Sequence, residues 1–178
     1  SLTMDKYEWI SRFDDSNCSP SIREFYGERE FFNVGYWLSH TQDQQEASST
    51  LMEKLLEFIP NKQGTILDVG CGLGATTHYL LKYYPLTAIV GINISPTQIA
   101  RSLLNFPEGK FLLMDAVEMD FADHSFEQII CVEAAFYFNT RRQFLQEAWR
   151  VLKPGGTLIL SDLSFATTEL LGDWTVPQ

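Results

Sequence analysis

The chain has 178 residues, 45% of them hydrophobic and 20% charged, which is the size and composition of a single globular domain with its own core. Its formal net charge is -10, from 23 acidic and 13 basic residues. The basic residues form no cluster, so the sequence lacks the positive surface that binds nucleic acid and anionic membranes. We therefore expect neither as a partner.

The cysteines give no indication of a metal centre or a disulfide framework. Cys18, Cys71 and Cys131 are far apart and odd in number, without the close pairs that bind zinc. No apolar run approaches the ~20 residues of a membrane span, and the first residues lack the pattern of a signal peptide. We expect a cytoplasmic protein without a bound metal.

Residues 1–60 are predicted to form an N-terminal helical extension or lid. In its last part, Thr41 and Gln44 have the spacing of a capping box that starts a helix. Apolar residues then recur every three to four positions, which predicts a helix with one buried stripe. The stripe consists of Ala47, Leu51, Leu55 and Phe58, and the helix is expected to end before Pro60.

Short apolar runs alternate with helical patterns from Gly64 onward, which is typical of a parallel sheet covered by helices on both faces. This pattern predicts a doubly wound α/β core over residues 61–165 and a C-terminal tail over 166–178. Strands are predicted at 65–70, 87–93, 110–114, 127–133 and 157–162, and helices at 74–84, 96–105 and 141–152.

The last of these helices is predicted to start at Thr140 and to be stopped by Pro154-Gly155-Gly156, which would turn the chain into the last strand. Its apolar residues follow a helical period, so we expect them to be buried together. They are Phe144, Leu145, Ala148, Trp149 and Leu152.

The segment ILDVGCGLG at 66–74 runs from an apolar strand into three glycines at alternate positions, just before a predicted helix. Glycine permits a sharp backbone turn and lets a ligand approach where a Cβ would collide. We therefore predict that Gly70, Gly72 and Gly74 belong to a ligand-binding loop. Cys71 lies within it but has no base beside it, so we interpret it as a small filling residue rather than a nucleophile.

A dinucleotide is one candidate ligand, because Gly70, Gly72 and Ala75 satisfy the tolerant form of the dinucleotide-binding pattern. Such sites also need an acidic residue at the end of the second strand, where this sequence has Asn93. An NAD-dependent oxidoreductase is therefore a weakened alternative that stays open.

Five segments in a fixed order carry a more specific resemblance. They are LDVGCGLG at 67–74, VGINISPTQ at 90–98, MDA at 114–116, SFEQIICVEAAFYF at 125–138 and FLQEAWRVLKPGGTLILSD at 144–162. Over roughly residues 30–165, the chain resembles the class I S-adenosylmethionine-dependent methyltransferases, especially those that act on ubiquinone-type and natural-product substrates. The resemblance implies a Rossmann-like fold, S-adenosylmethionine as methyl donor, S-adenosylhomocysteine as product and a small-molecule acceptor.

The resemblance also implies roles for individual positions. The glycine loop and Asp68 would border the methionine portion of the cofactor, Asn93 the ribose, and Asp115 and Ala116 the adenine edge. Ile94 is a further cofactor-binding residue, and Glu133 would lie near the reacting end of the cofactor. Gly35-Tyr36-Trp37 resembles a stretch that folds over the cofactor, with Tyr36 and Trp37 closing the pocket. Asp68 could instead orient the loop amides alone.

Two positions depart from the family pattern. Many members have an acidic residue at position 93, so we expect Asn93→Asp to preserve or tighten cofactor binding. Relatives often carry a histidine near Tyr137, and its absence leaves the general base unassigned. The candidates for a catalytic role are Glu133 at the end of the fourth strand, Tyr137, and His40 close after the aromatic pair; His78 is expected to be structural and His124 solvated.

In the family, a helix and two antiparallel strands follow the parallel strands, and we expect this chain to lack the last two. The strand that contains Leu158, Ile159 and Leu160 would then lie at the sheet edge, covered by residues 165–178, by a second copy or by a partner chain. A binding module without turnover is therefore an alternative to an active enzyme.

Overall fold

The computed structural model describes residues 33, 35–134 and 140–162. The predictions for Tyr137, for Cys18 and for the C-terminal tail lie outside the described residues. So does almost all of the N-terminal extension before Gly35.

Within the described ranges, five parallel strands form one sheet in the order β3-β2-β1-β4-β5. Their bounds are Ile66–Val69 for β1, Ile89–Asn93 for β2, Phe111–Leu113 for β3, Phe126–Val132 for β4 and Leu152–Ser161 for β5. The central strand β1 pairs Asp68 with Gly91 on one side and with Ile130 on the other. The predicted parallel α/β architecture is confirmed, and in the described part of the chain β5 lies at one edge.

Among the described residues, four α-helices accompany the sheet. They are α1 (Gln44–Leu56), α2 (Ala75–Tyr79), α3 (Pro96–Asn105) and α4 (Arg141–Val151), with 3-10 turns at Leu80–Lys82 and Leu86–Ala88. Ser95 and Thr140 cap α3 and α4, since each side-chain oxygen accepts a hydrogen bond from the backbone N–H three residues later.

The apolar core lies on both faces of the sheet because successive residues of a strand point to opposite faces. On one face Ile66 of β1 joins a cluster with Met52 and Leu56 of α1. On the other face, the next residue, Leu67, joins Phe144 and Ala148 of α4. Burial on both faces explains why the strands read as continuous apolar runs.

Helix α1 starts two residues later than the capping box predicted, because its N-cap is Asp43 instead of Thr41. Asp43 Oδ1 accepts from the N–H of Glu46 at 2.8 Å. Thr41 Oγ1 is occupied in the preceding turn, where the N–H of Leu38 donates to it at 2.8 Å. The predicted helix 74–84 is also shorter, because α2 ends at Tyr79 and the chain tightens into the 3-10 turn before Pro85.

For α1 and α4, the sequence pattern predicted more buried apolar residues than the structure shows. Phe58 lies beyond the end of α1 and is 71% exposed, while Ile59 is buried. In α4 the buried residues are Phe144, Ala148 and Val151, whereas Leu145 is exposed and Trp149 is 81% exposed. Residues at i, i+4 and i+7 define the narrow face that meets the sheet, and Leu145 and Trp149 lie beside it.

The segment Pro154-Gly155-Gly156 does not form a turn before β5, because the strand already begins at Leu152. Phe126 pairs with Leu152 and Gln128 with Thr157, so the extra residues of β5 form an irregularity inside the strand. Gly155 there has φ +79°, a conformation that favours glycine.

Candidate cofactor site

The glycine loop connects β1 to α2 and has an unusual backbone. Gly70, Gly72 and Gly74 have φ values of 74°, 54° and 93°, all in the left-handed region that side chains disfavour. The N–H groups of Gly70 and Cys71 both donate to the carbonyl of Ile92 at 3.0 Å. The loop is thus anchored to the end of β2 and needs glycine at alternate positions.

At Gly74 the surroundings also favour glycine. A Cβ added there would lie 3.1 Å from the Phe111 ring and 3.2 Å from Ser102 Cβ. The loop therefore packs closely against α3 and β3, which would have to shift by a few tenths of an ångström to admit a side chain. This close approach supports the interpretation of the motif as a tight loop beside a ligand site.

Polar side chains hold two carbonyl groups of the loop. The Gly72 carbonyl accepts from Ser102 Oγ at 3.0 Å and from Asn93 Nδ2 at 3.3 Å. The Leu73 carbonyl accepts from Asn105 Nδ2 at 3.0 Å. Because these carbonyls are bound to α3 and to the end of β2, their orientation in the loop is fixed.

Asn93 is almost completely buried and its amide has partners on both sides. Its Oδ1 accepts from the N–H of Ser95 at 3.0 Å, and its Nδ2 donates to Gln98 Oε1 at 2.8 Å as well as to Gly72. A backbone N–H can only donate and a carbonyl can only accept, so the orientation of the amide is unambiguous. The contact with a ribose stays a prediction, but both Asn93 donors already have protein partners.

Asp68 lies inside the protein at 1% exposure, and Thr77 Oγ1 donates to its Oδ2 at 2.7 Å. Burial raises the pKa of this carboxyl to about 7, although the hydrogen bond from Thr77 opposes the rise. Its side chain does not line the cavity beside the loop. This geometry favours the alternative in which Asp68 orients the loop through α2.

Cys71 is buried in the loop, and burial together with the nearby Asp68 raises the pKa of its thiol well above the usual value. A thiol that stays protonated is a poor nucleophile. The geometry agrees with its interpretation as a filling residue.

The parallel sheet places the ends of its strands at one edge, next to the glycine loop. Asn93 is the last residue of β2 and Ile94 follows it, Asp115 and Ala116 follow β3, and Glu133 follows β4. The N–H of Met114 donates to the Asn93 carbonyl at 2.8 Å, which ties the second and third of these ends together. Asp115 stabilises its own turn, since its Oδ1 accepts from the N–H of Val117 at 3.1 Å, and Ala116 is buried.

Glu133 has a strained backbone directly after β4. Its φ is +52°, a rare value for a residue with a side chain, and its N–H donates to the Ser161 carbonyl at 2.7 Å. Strain of this kind clusters at functional sites. The preceding residue, Val132, lines the cavity beside the glycine loop.

That cavity has a volume of about 30 Å³. Its lining includes a residue that the sequence analysis missed, Asn33, which is 2% exposed. Both polar atoms of the Asn33 side chain are buried without a hydrogen-bond partner. The other lining residues are Gly70, Cys71, Gly72, Leu73, Ala75, Thr76 and Val132. A polar residue just before the Gly35-Tyr36-Trp37 stretch was the only sequence feature that could have indicated Asn33.

The aromatic stretch itself lies against α1. The N–H of Tyr36 donates to the Ala47 carbonyl at 2.8 Å, and a Cβ on Gly35 would collide with Ala47. Tyr36 and Trp37 are exposed and neither lines the cavity, so their closure over a ligand stays a prediction. The same holds for a catalytic role of His40, which is exposed.

The remaining histidines, His78 and His124, do not line the cavity. The ring of His78 meets Phe106 edge-on with centroids 5.0 Å apart, and His124 is exposed in a turn. Among the described residues, no group of three or more His, Cys, Asp or Glu could hold a metal ion. No helix in the described ranges is long and apolar enough to span a membrane.

Fold and loop together define a Rossmann-like domain with a ligand site at the carboxyl edge of its sheet. The family described as a methyltransferase domain matches residues 67–160. The chain belongs to the class I S-adenosylmethionine-dependent methyltransferases.

Similar proteins agree with this assignment. Erythromycin 3''-O-methyltransferase of Saccharopolyspora erythraea is 30% identical over 148 residues, which cover 76% of this chain and 47% of that protein. The 2-methyl-6-phytyl-1,4-hydroquinone methyltransferase of Synechocystis sp. is 41% identical over 101 residues, covering 55% of this chain and 31% of that protein. The crystal structure of the cyclase SpnF matches with a TM-score of 0.64 and 26% identity, over 72% of this chain and 50% of that one. The chain thus spans about half the length, or less, of these proteins.

Proposed function

We propose that the protein transfers a methyl group from S-adenosylmethionine to an oxygen, nitrogen or carbon nucleophile of a small molecule, leaving S-adenosylhomocysteine. The observation that carries the proposal is the glycine loop, whose three left-handed residues close against a small polar cavity. The similarity to methyltransferases of small molecules supports the same acceptor class.

The residues around the loop fit this cofactor. Backbone groups of the loop and the buried amide of Asn33 offer donors and an acceptor to its amino-acid end. The ends of β2 and β3, with Asn93, Ile94, Asp115 and Ala116, would receive the nucleoside, and Tyr36 and Trp37 would close over it. When bound, the cofactor supplies a methyl group already activated by its sulfonium.

With an activated methyl group available, the main task of the chain is to position the acceptor. Orientation can contribute ~7–11 kcal/mol, whereas one acid or base contributes a factor of ~10²–10⁴. Glu133 is our first candidate for holding a proton of the acceptor, because it combines a carboxylate with a strained backbone at the carboxyl edge. Tyr137 and His40 are the further candidates.

A binding module without methyl transfer is the second candidate function. The similarity to SpnF favours it, because that protein is named a cyclase and not a methyltransferase. An NAD-dependent oxidoreductase is a weaker third, since the last position of β2 holds Asn93 instead of an acidic residue, with its amide donors bonded inside the protein.

Thermal unfolding with S-adenosylhomocysteine, NAD and NADP tests the ligand class. A ligand at about 100 times its Kd stabilises the folded state by ~2.7 kcal/mol, which is roughly 5–10 °C in Tm for a domain of this size. We expect this shift for S-adenosylhomocysteine alone. A Tm shift with NAD or NADP alone would overturn the proposal. A second assay would distinguish an enzyme from a binding module: a panel of small metabolites is incubated with S-adenosylmethionine, and release of S-adenosylhomocysteine is measured.

We also propose that the outer edge of β5, which has no strand partner among the described residues, is covered in solution by a second copy or a partner chain rather than by residues 165–178, because an unpaired apolar edge favours association. Leu160 in this strand is exposed, which supports the proposal. Light scattering coupled to size-exclusion chromatography tests self-association, and co-purification tests a partner. A strictly monomeric protein without a partner would contradict it.

We further propose a reducing, cytoplasmic location for the protein. The free, buried Cys71 and Cys131 support this proposal.

A further inference from the structure

The cavity beside the glycine loop is lined by parts of the chain that are distant in sequence. Asn33 lies on its wall together with the loop and the first two residues of α2, Ala75 and Thr76. The loop and α2 are continuous in the chain, whereas Asn33 precedes them by about forty residues. The shape of the cavity therefore depends on where Asn33 and its neighbours are held relative to α2.

Helix α1 holds Asn33 and the residues that follow it. Gln44 Nε2 donates to the Asn33 carbonyl at 2.9 Å, and the N–H of Tyr36 donates to the Ala47 carbonyl at 2.8 Å. Further along the helix, Lys54 Nζ lies 5.7 Å from the centre of the Tyr36 ring. A displacement of α1 would therefore move Asn33 and Tyr36 with it.

The second half of α1 is connected to α2 through Glu53. The Glu53 carboxylate accepts from Lys82 Nζ at 2.7 Å, and its two oxygens each accept from a tyrosine hydroxyl, one of Tyr79 and one of Tyr83. Tyr79 is the last residue of α2 and comes five residues after Gly74, roughly 8 Å along the helix axis. Glu53 thus contacts the helix that begins at the glycine loop.

Apolar packing also attaches α1 to the domain, through the buried Met52, Leu55 and Leu56. Burial of apolar area is non-directional, so its free energy changes little when a helix slides slightly over its support. Hydrogen bonds weaken steeply with distance and angle. The apolar residues therefore contribute the strength of the attachment, and the hydrogen bonds of Glu53 define the position of α1 relative to α2.

On the basis of the proposed function, we propose that Glu53 is a positioning residue of the cofactor site. It does not line the cavity. It acts through α1, which carries Asn33 and Tyr36, and through α2, which continues the glycine loop. A misplacement of about 1 Å can cost up to ~10²-fold in catalysis, so a contact outside the site can control its affinity.

Calorimetric titration with S-adenosylhomocysteine at neutral pH tests this role. Glu53→Gln keeps the size of the side chain but offers one acceptor oxygen in place of two, so we expect about tenfold weaker binding than for wild type. Tyr83→Phe removes a single hydroxyl and should weaken binding about threefold. The double variant should bind no more weakly than Glu53→Gln alone, because both substitutions act on the same contact.

Val151→Ala is the matched control for a general loss of stability. Val151 is completely buried in α4 and packs on the opposite face of the sheet from α1. Its truncation should lower Tm but leave the Kd for S-adenosylhomocysteine unchanged. Equal weakening by Val151→Ala and Glu53→Gln would overturn the inference.

Unchanged binding by both Glu53→Gln and Tyr83→Phe would also overturn it. If Glu53→Gln fails to fold, Tyr83→Phe decides by itself, since the loss of one hydroxyl leaves the other two contacts of Glu53 in place. Wild-type protein that does not bind S-adenosylhomocysteine would instead overturn the proposed function.

Discussion

The side-chain nitrogen of Asn93 donates to the carbonyl oxygen of Gly72 across 3.3 Å, linking the end of β2 to the middle of the glycine loop. The side-chain oxygen of Asn93 meanwhile accepts from the N–H of Ser95. An amide supplies a donor and an acceptor on one planar group, which an ionised carboxylate cannot do. The asparagine at this position therefore has a structural reason that the family pattern alone did not reveal.

Because of this hydrogen bond, we now expect Asn93→Asp to weaken cofactor binding, whereas the family pattern predicted preserved or tighter binding. A carboxylate would face the Gly72 carbonyl without a proton to donate, so we expect S-adenosylhomocysteine to bind about tenfold more weakly at neutral pH. Burial raises the pKa of a carboxyl, and its protonated form regains the donor. The loss should therefore shrink as the pH falls, measured by calorimetry over a pH series.

Asn105→Asp provides the control for that series. Asn105 also donates to a loop carbonyl, but it is exposed, so water can solvate the new charge. The effect of Asn105→Asp on S-adenosylhomocysteine binding should be small and independent of pH. Equal or tighter binding by Asn93→Asp at every pH would show that residue 93 contacts the ligand directly.

Gly74→Ala should prevent formation of the loop. The left-handed φ costs a side chain ~1–2 kcal/mol, and crowding against Phe111 and Ser102 adds ~1–3 kcal/mol. We expect a lower Tm and no measurable binding of S-adenosylhomocysteine. Gly155→Ala has a similar φ of +79° but an added Cβ meets nothing within 4 Å, so it should lower Tm slightly and leave binding intact. Equal binding by both variants would argue against the loop as the ligand site.

Glu133→Gly separates backbone strain from chemistry. Removing the side chain relieves a left-handed backbone that costs ~1–2 kcal/mol, partly offset by the ~0.5–1 kcal/mol entropy cost of glycine. Stability in urea should stay equal or rise, while turnover falls about 10²-fold or more if the carboxylate handles a proton. His124→Gly, with φ 57° in an exposed turn, should match the stability change without affecting turnover. Unchanged turnover in Glu133→Gly would remove this residue from the candidates.

The raised pKa of Asp68 predicts that the free energy of unfolding depends on pH. Burial raises its folded-state pKa to about 7, from 3.8 for an exposed carboxyl. The folded state therefore binds the proton more tightly, and stability falls as the pH rises from about 4 to about 7, by on the order of 4 kcal/mol. Asp68→Asn should flatten the free energy of unfolding over this window. Thr77→Val removes the bond that lowers the pKa, so it should extend the decline to higher pH; an unchanged profile in both variants would contradict the assignment.

The side chain of Glu53 connects α1 to the end of α2 and to the 3-10 turn that follows it. Its carboxylate accepts from Lys82 Nζ at 2.7 Å and from the hydroxyls of Tyr79 and Tyr83. Burial opposes ionisation, but these three hydrogen bonds outweigh it and lower the pKa to about 2. The depressed pKa stabilises the fold above pH 4.5, and this contribution is lost as the pH falls towards about 2.

Glu53→Gln should accordingly lower stability at neutral pH by about 1–2 kcal/mol, a figure reduced for partial exposure of the ion pair. Chemical unfolding at neutral and acidic pH measures it. The control is Glu57→Gln at the C-cap of the same helix, which should change stability little. The Glu57 side chain is 65% exposed, and its carboxylate lies 3.8 Å from Lys54 Nζ. Equal effects of the two substitutions would show that the cluster around Glu53 contributes nothing particular.

The amino-acid sequence by itself determined the order of elements, the parallel sheet and the glycine loop. These features rest on local information: apolar runs mark doubly buried strands, and glycines mark a backbone that side chains cannot adopt. The ends of β1 to β4 were predictable as a common edge for the same reason, since parallel strands share their direction.

Only the tertiary structure decided which side chains are buried and what they contact. Asn33 and Gly70 are far apart in the chain, and the sequence gives no period that relates them, yet they line one cavity. Trp149 and Phe144 belong to the same helical pattern of apolar residues, yet Trp149 is exposed and Phe144 is buried. This difference in exposure depends on how much of the α4 surface contacts the sheet. A hydrogen bond such as that from Asn93 to Gly72 likewise forms only when folding joins two distant segments, because its energy depends on distance and direction that no local pattern encodes.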